Sequence, residues 1–321
     1  MSASDSVNDP TPPGFAREAL LVSADTGWQI DEGEGPVHTP IPRFRPANIH
    51  RTVVPQELCR RYRMRQTISV CFMLSLVVLA SVSGCTGSVV GSGKLETRDF
   101  SLSGFTNVEA AADFEVVITE STGHSVSVTA DNNLFEYLDI KTSGSTLYLG
   151  PKPGVSLLHG TLKAAIGLPQ LDGLELSGAS DGRVTGFTST RPLTVALSGA
   201  SSAAFDDASA GETKLSLSGA SDLSGKLTGT DVTIDLSGSS AISLMGSATT
   251  MTATGSGAST LALEEFIAEN ADIRLDGASN AHVHVTGDLR VELSGDSHVS
   301  YEGNPTLTGV KLSGSSSVEE M

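Results

Sequence analysis

No cysteine follows Cys85. That excludes a disulfide framework and any thiolate metal site from everything downstream. Aromatic residues make up 5% of the 321, and the single tryptophan, Trp28, lies far upstream of the repetitive part. A core of bulky rings and a tryptophan platform for sugars are therefore absent there. Bases are scarce too: 20 Lys plus Arg stand against 37 Asp plus Glu, a formal net charge of -17. Up to Cys85 eight acids and eight bases cancel; 29 acids and 12 bases follow. A field of that sign repels nucleic acid and anionic membrane surfaces, so no nucleic-acid partner is expected. The longest apolar run, Thr67 to Val82, falls short of the ~20 residues of a spanning helix. What is abundant is glycine, 34 residues. Low-complexity disorder shares that composition, but the evenly spaced Leu, Val and Ile of this chain speak for order.

The apolar run follows a basic stretch, Arg60-Arg61-Tyr62-Arg63-Met64-Arg65, and ends in Val82-Ser83-Gly84-Cys85. Basic n-region, apolar h-region and small residues at its end make a secretory signal over residues 64–85. The ending resembles the bacterial lipobox. By that resemblance the Cys85 thiol takes a diacylglyceryl group and becomes the mature N-terminus, anchoring the protein to the extracytoplasmic face of a membrane. The competing reading is an uncleaved signal anchor. Residues 1–63 are proline-rich, patternless and free of lysine. Either translation begins at Met64, or a cytosolic extension precedes a type II anchor. Neither gives them a fold. Residues 86–97 are expected to be a flexible tether, and 98–321 the folded domain.

An internal repeat dominates that domain. Eight copies stand out: LELSGAS at 174–180, VALSGAS at 195–201, LSLSGAS at 215–221, IDLSGSS at 234–240, ATGSGAS at 253–259, IRLDGAS at 273–279, VELSGDS at 291–297 and VKLSGSS at 310–316. Their glycines, Gly178, Gly199, Gly219, Gly238, Gly257, Gly277, Gly295 and Gly314, are spaced 18 to 21 residues apart. Apolar residues alternate before each corner, as in Leu174/Leu176 and Val291/Leu293. They alternate again after it, as in Ile242/Leu244 and Leu261/Leu263. Period two means short strands with one buried face, and the glycine supplies a corner conformation that bulkier residues resist. One such unit cannot bury its own apolar face; stacked units can. Parallel pairing at ~4.8 Å per rung gives a rod of ~40 Å. The serines at equivalent corners are expected to form a ladder between rungs. The fifth copy has Gly255 where leucine is expected, which predicts a local bulge or narrowing. A leucine-rich repeat shares the period, but its L-x-x-L-x-L and Asn/Cys corners are missing.

Residues 98–172 are also β in pattern, with Phe114–Thr119 and Ser125–Thr129 expected to pair around Gly123-His124, and Leu147-Tyr148-Leu149 a further strand. Only the segment 133–140 suits a helical turn. This part is expected to cap the first rung, because the open end of a β-stack pairs with other chains. The order Gly104-Phe105, Phe114–Thr119, Ser125–Asn133, Gly144–Leu149, then Leu168-Pro169-x-Leu171, and Tyr301-x-Gly303-Asn304-Pro305 near the end, resembles the family of the putative auto-transporter adhesin, head GIN domain. The resemblance runs from about Lys94 to the C-terminus. It implies an all-β, right-handed parallel β-helix in the bacterial cell envelope, and it supplies no catalytic residues.

Three patterns could carry chemistry. Gly178-Ala179-Ser180-Asp181-Gly182 satisfies G-x-S-x-G, but a nucleophile elbow needs a helix after the serine, and here the serine belongs to a repeated corner. His282-x-His284, with His298 a rung further on, could approach a metal; no third ligand is fixed, so no metal or other cofactor is expected. Asp206-Asp207, Glu264-Glu265 and Glu269 with Asp272 form acidic clusters of the sort that acid/base chemistry uses. With so few bases they read as solvated surface. The expected function is that of a non-enzymatic lipoprotein displaying a β-helix to an envelope protein or glycan. The alternative is a polysaccharide-acting lyase or hydrolase, which requires carboxylates converging with an Arg or Lys in one groove.

Overall fold

The computed structural model describes residues 88–321. The extension 1–63, the apolar run and Cys85 lie outside the described residues.

Alternation does what it predicts. Each repeat contributes one strand before its corner and one after it, and equivalent strands of successive rungs pair in parallel. The result is an all-β solenoid of about seven turns, each of about twenty residues. The strands before the corners form face one and those after them face two. Inward residues of face one (Leu174, Leu176, Val195, Leu197, Leu215, Leu217, Ile234, Leu236) and of face two (Leu223, Ile242, Leu244, Leu261, Leu263) are buried in one continuous core. Through the middle the return is itself extended: Ala241–Gly255 and Thr260–Leu275 each run as one strand from face two, around the return, into face one of the next rung.

The N-terminal part is built from β1 (Ser88–Val90), β2 (Leu95–Phe100), β3 (Asn107–Ala110), β4 (Glu115–Glu120), β5 (Ser125–Asp131), a 3-10 turn at Phe135–Tyr137, β6 (Leu138–Ser143), β7 (Thr146–Pro151), β8 (Ser156–Leu158) and β9 (Leu162–Leu168). Strands β3 and β4 form a rung that the repeat motif does not mark. They pair in parallel with β10 (Gly173–Leu176) and β11 (Asp181–Thr185), the first marked rung. Its corner is Ala112, at φ 73°, in the place that glycine takes elsewhere. Strands β7 and β9 stack below it in parallel. Antiparallel β6 then covers β7, and antiparallel β5 and β2 cover β9. Switching to antiparallel strands closes this end of the stack against further rungs.

Four expectations are corrected. Strands β4 and β5 do not pair as a hairpin: β9 lies between them, parallel to one and antiparallel to the other. The tether is not free from residue 86 to 97, because β1 pairs with β8 from Ser88 onward and β2 begins at Leu95. No bulge occurs at Gly255, which keeps its register between Leu236 and Leu275. A Cβ there would lie 2.8 Å from Leu275 Cδ2, so the neighbouring rung's leucine fills the space. The register shifts fall elsewhere: where face two bends into the return, as between Phe205 and Ala208 and between Leu263 and Ile267, and on face one between Leu289 and Arg290.

The serine ladder is the fourth, and it is corrected in part. Ser180, Ser201, Ser221, Ser240, Ser259, Ser279 and Ser297 are buried, and each hydroxyl donates to the carbonyl three residues earlier, within its own corner, at 2.7–2.9 Å. Between rungs the corners are tied chiefly by backbone: the residue after each glycine donates to the glycine carbonyl one rung back, as from Ala200 to Gly178 at 2.7 Å and from Ala220 to Gly199 at 2.8 Å, with side-chain bonds added at some corners, as from Ser201 to the Leu176 carbonyl at 3.1 Å and from Ser313 to the Leu293 carbonyl at 3.3 Å. A buried hydroxyl beside an unpaired carbonyl satisfies both, which explains why a small polar residue occupies an inward position.

Candidate ligand groove on face one

Because equivalent residues stack in register, the outward side chains of face one form rows. One row reads Tyr148, Glu109, Glu175, Ala196, Ser216, Asp235, Thr254, each paired with the next. Its middle members are its smallest. The floor therefore drops at Ala196 and Ser216, between Glu175 at one end and Asp235 at the other. A depression of about 430 Å³ lies there, walled by the corner serines Ser198, Ser218 and Ser237. It continues into one of about 190 Å³ that shares Glu175 and Ala196 and reaches Glu109 and Thr146. A third, about 340 Å³, shares Glu109 and Thr146 and ends on Asp139, Lys141 and Tyr148. Together they form one open groove running across the rungs, suited to an extended ligand rather than an enclosed one.

The cap end of the groove is its most polar part. Lys141 Nζ lies 2.6 Å from Asp139 and 5.7 Å from the centre of the Tyr148 ring. Its hydrogen bond to Asp139 raises its pKa and keeps it a cation. Burial, then the charges of Glu109 and Asp139, push the Tyr148 phenol up, so it stays protonated. Burial pushes the Glu109 carboxyl up as well, and the neighbouring Glu175 adds to the shift. Carboxylates and a lysine do converge here, as the enzyme reading requires. The lysine, however, is a committed ammonium and the tyrosine a phenol. Neither is a ready base, and both are good hydrogen-bond donors. Towards the other end, Thr254 Oγ1 donates to Asp235 at 2.8 Å.

The residues singled out in the sequence fall elsewhere. The eight repeat glycines, Gly178 to Gly314, all sit at the corner between the faces with φ of 76–81°. Ser180, in the G-x-S-x-G pattern, is buried and donates to Ser177 at 2.9 Å and to Ala112 at 3.0 Å, which leaves it no nucleophilic role. His282 Nδ1 lies 2.6 Å from Ser300 Oγ, and His298 Nδ1 lies 2.8 Å from Ser317 Oγ. Among the described residues no group of three or more His, Cys, Asp or Glu is placed to hold a metal ion. The acidic clusters do not meet. Asp206 is held below the usual carboxylate range by Thr185 and Arg183, with Arg183 Nη2 at 2.6 Å. Asp207 pairs with Lys226 at 3.2 Å, Asp272 with Arg274 at 2.8 Å, and Glu264 and Glu265 point to solvent.

Sequence reasoning missed the groove because its members lie in strands of unlike sequence. Tyr148 and Glu109 come from the cap and the unmarked rung, the rest from the repeat. The available signal was the outward parity of each strand, readable only once the rungs are aligned.

The model of a family described as "Putative auto-transporter adhesin, head GIN domain" matches residues 104–305. Among solved structures, a putative lipid binding protein from Parabacteroides distasonis is 19% identical with a TM-score of 0.69, covering 73% of this chain and 100% of that one. A putative adhesin from Parabacteroides merdae is 20% identical with a TM-score of 0.67, covering 73% and 99%. A putative adhesin from Parabacteroides distasonis is 20% identical with a TM-score of 0.69, covering 73% and 100%. At this identity the likeness speaks for the fold alone. No curated protein matches the chain.

Proposed function

Since the chain belongs to the family of the putative auto-transporter adhesin, head GIN domain, we propose that it is a non-enzymatic lipoprotein of the cell envelope. In this reading Cys85 carries the lipid, and the groove on face one binds an extended, hydroxyl-rich ligand, an envelope glycan before a protein. The single observation behind it is the continuity of the groove: donors and acceptors line it in every rung of the row but that of Ala196, from Lys141 and Tyr148 through Glu175 and Ser216 to Thr254. A polymer of repeating hydroxyls meets such a row without the enclosed pocket that a small molecule needs. The family's own description as an adhesin agrees with a binding role, and no step of catalysis is required.

The test is a glycan array with the membrane-extracted protein. Ala196→Arg fills the floor of the groove, and Tyr148→Ala removes the one ring in its row. Each should lower binding at least tenfold with the circular dichroism spectrum unchanged. Undiminished binding by Ala196→Arg would place the ligand elsewhere. The anchor is tested separately: Cys85→Ala should move the protein from the membrane to the soluble fraction.

A second reading rests on Glu109 and Glu175, adjacent in register, with the Glu109 carboxyl raised. Two neighbouring carboxyls can act as acid and base on a glycosidic bond when one of them is held protonated. That reading needs turnover, which binding alone does not.

A further inference from the structure

The N-terminus of the described domain is strapped down. Asp131, at the end of β5, is buried and accepts hydrogen bonds from the backbone N–H of Gly93 and, at 2.8 Å, of Thr161. Asn132 N donates to the Lys94 carbonyl at 2.8 Å, and Asn133 Nδ2 donates to the Val90 carbonyl at 2.9 Å. Ser92 closes the loop through Asn132 and Asn133. Three consecutive side chains thus fix the strand that leaves the fold towards Cys85. Only Thr86 and Gly87 separate Cys85 from Ser88, the first residue of β1. At 3.8 Å per residue, that chain reaches at most ~11 Å.

A fixed exit this close to the anchor decides what lies nearest the lipid. In β1 and β8, Val89 and Leu157 turn inward against the core, while their neighbours Val90 and Leu158, paired in register, face out at 54% and 43% exposure. Leu95, opposite Asp131, is 59% exposed. Lys94 lies between β1 and Leu95 in the chain, exposed and, among the described residues, in no ion pair. Exposed apolar side chains with an unpaired lysine among them along the strap suit a bilayer boundary, with acyl chains below and phosphates at the surface.

We infer that this pole of the solenoid, Val90, Lys94, Leu95 and Leu158, rests on the phospholipid bilayer as a second contact beside the lipid on Cys85. The inference rests on the proposed anchor. It gives the domain a fixed orientation: the cap lies on the membrane, and the repeat rungs stack away from it, which carries the groove outward. A single apolar insertion would be weak alone, and it gains from the effective concentration that the anchor provides.

The experiment uses the full chain expressed in cells, carrying Leu158→Cys or, as a control at the last rung, Leu312→Cys. Membrane vesicles are treated with a membrane-impermeant maleimide before and after detergent. The Leu158→Cys variant should label about tenfold less in intact vesicles than in detergent, and Leu312→Cys equally in both. Equal labelling at both sites in membrane-bound protein overturns the bilayer contact and leaves the anchor standing. Recovery of the protein in the soluble fraction, with no diacylglyceryl mass on its N-terminal peptide, overturns the anchor and the contact with it. Lys94→Glu should raise labelling at Leu158→Cys without releasing the protein; no change would remove Lys94 from the contact.

Discussion

The position a Cβ would take on Gly199 lies 2.5 Å from the carbonyl oxygen of Gly178, one rung back. That oxygen also accepts the hydrogen bond from Ala200 that ties the two corners together. Glycine is therefore required twice at each stacked corner, by a positive φ and by the backbone beneath it. Gly199→Ala should cost ~2 kcal/mol or more, since it adds a backbone clash to the strain of a left-handed residue. Gly104 has nearly the same φ, +81°, with nothing within 4 Å of a Cβ, and Gly104→Ala should cost about 1 kcal/mol. Denaturant unfolding of the two variants separates the clash from the strain.

Removing a corner serine should leave a carbonyl without its partner. Ser240→Ala takes away the bond to Ser237 at 2.9 Å in a buried corner. A loss of ~1–2 kcal/mol is expected, read from the midpoint of urea unfolding. Replacement by valine should cost more, because it adds volume to a close-packed position.

The raised carboxyl of Glu109 sets a pH dependence of one sign. Its folded pKa lies above the unfolded one, so its stabilising contribution is full below the unfolded pKa and is lost as pH rises through the folded value. Glu109→Gln should therefore stabilise the protein at neutral pH. Glu175→Gln should lower the Glu109 pKa, seen by NMR titration. Asp172 behaves oppositely. Its hydrogen bond from Arg191, with Nη2 at 2.9 Å, holds its pKa down. That contribution is present above the unfolded pKa and disappears as pH falls through the folded one.

Asp131→Ala should loosen the strap without unfolding the rungs. It removes the acceptor for Gly93 and Thr161, and a loss of ~1–3 kcal/mol is expected. Amide exchange should accelerate over residues 88–94 well before it does at Leu215 or Ile234. Uniform acceleration across the domain would show that the strap supports the whole stack.

The rungs were legible because glycine spacing and period-two alternation report backbone geometry directly. The rung at β3 and β4 was not, since Ala112 stands where the motif has glycine, and Phe114, buried, stands where it has serine. Strand order in the cap was also hidden: nothing local to β4 and β5 announces that β9, over thirty residues on, comes between them. The corner serines were legible as a row but not in their direction, because each hydroxyl lies nearest its own corner's carbonyl, and only some also reach the rung beside it, as Ser201 does at 2.9 Å from Ser198 and 3.1 Å from Leu176. The groove needed all of this at once, as its shape comes from which rungs place Ala196 and Ser216 side by side.

The most direct test of a binding rather than catalytic groove is to incubate the protein with the glycans it retains on the array and analyse the mixture by mass spectrometry. The glycans are expected to be recovered intact, with binding lost in Ala196→Arg. Shortened products that appear with the native protein and vanish in both Glu109→Gln and Glu175→Gln, with binding retained, would contradict it.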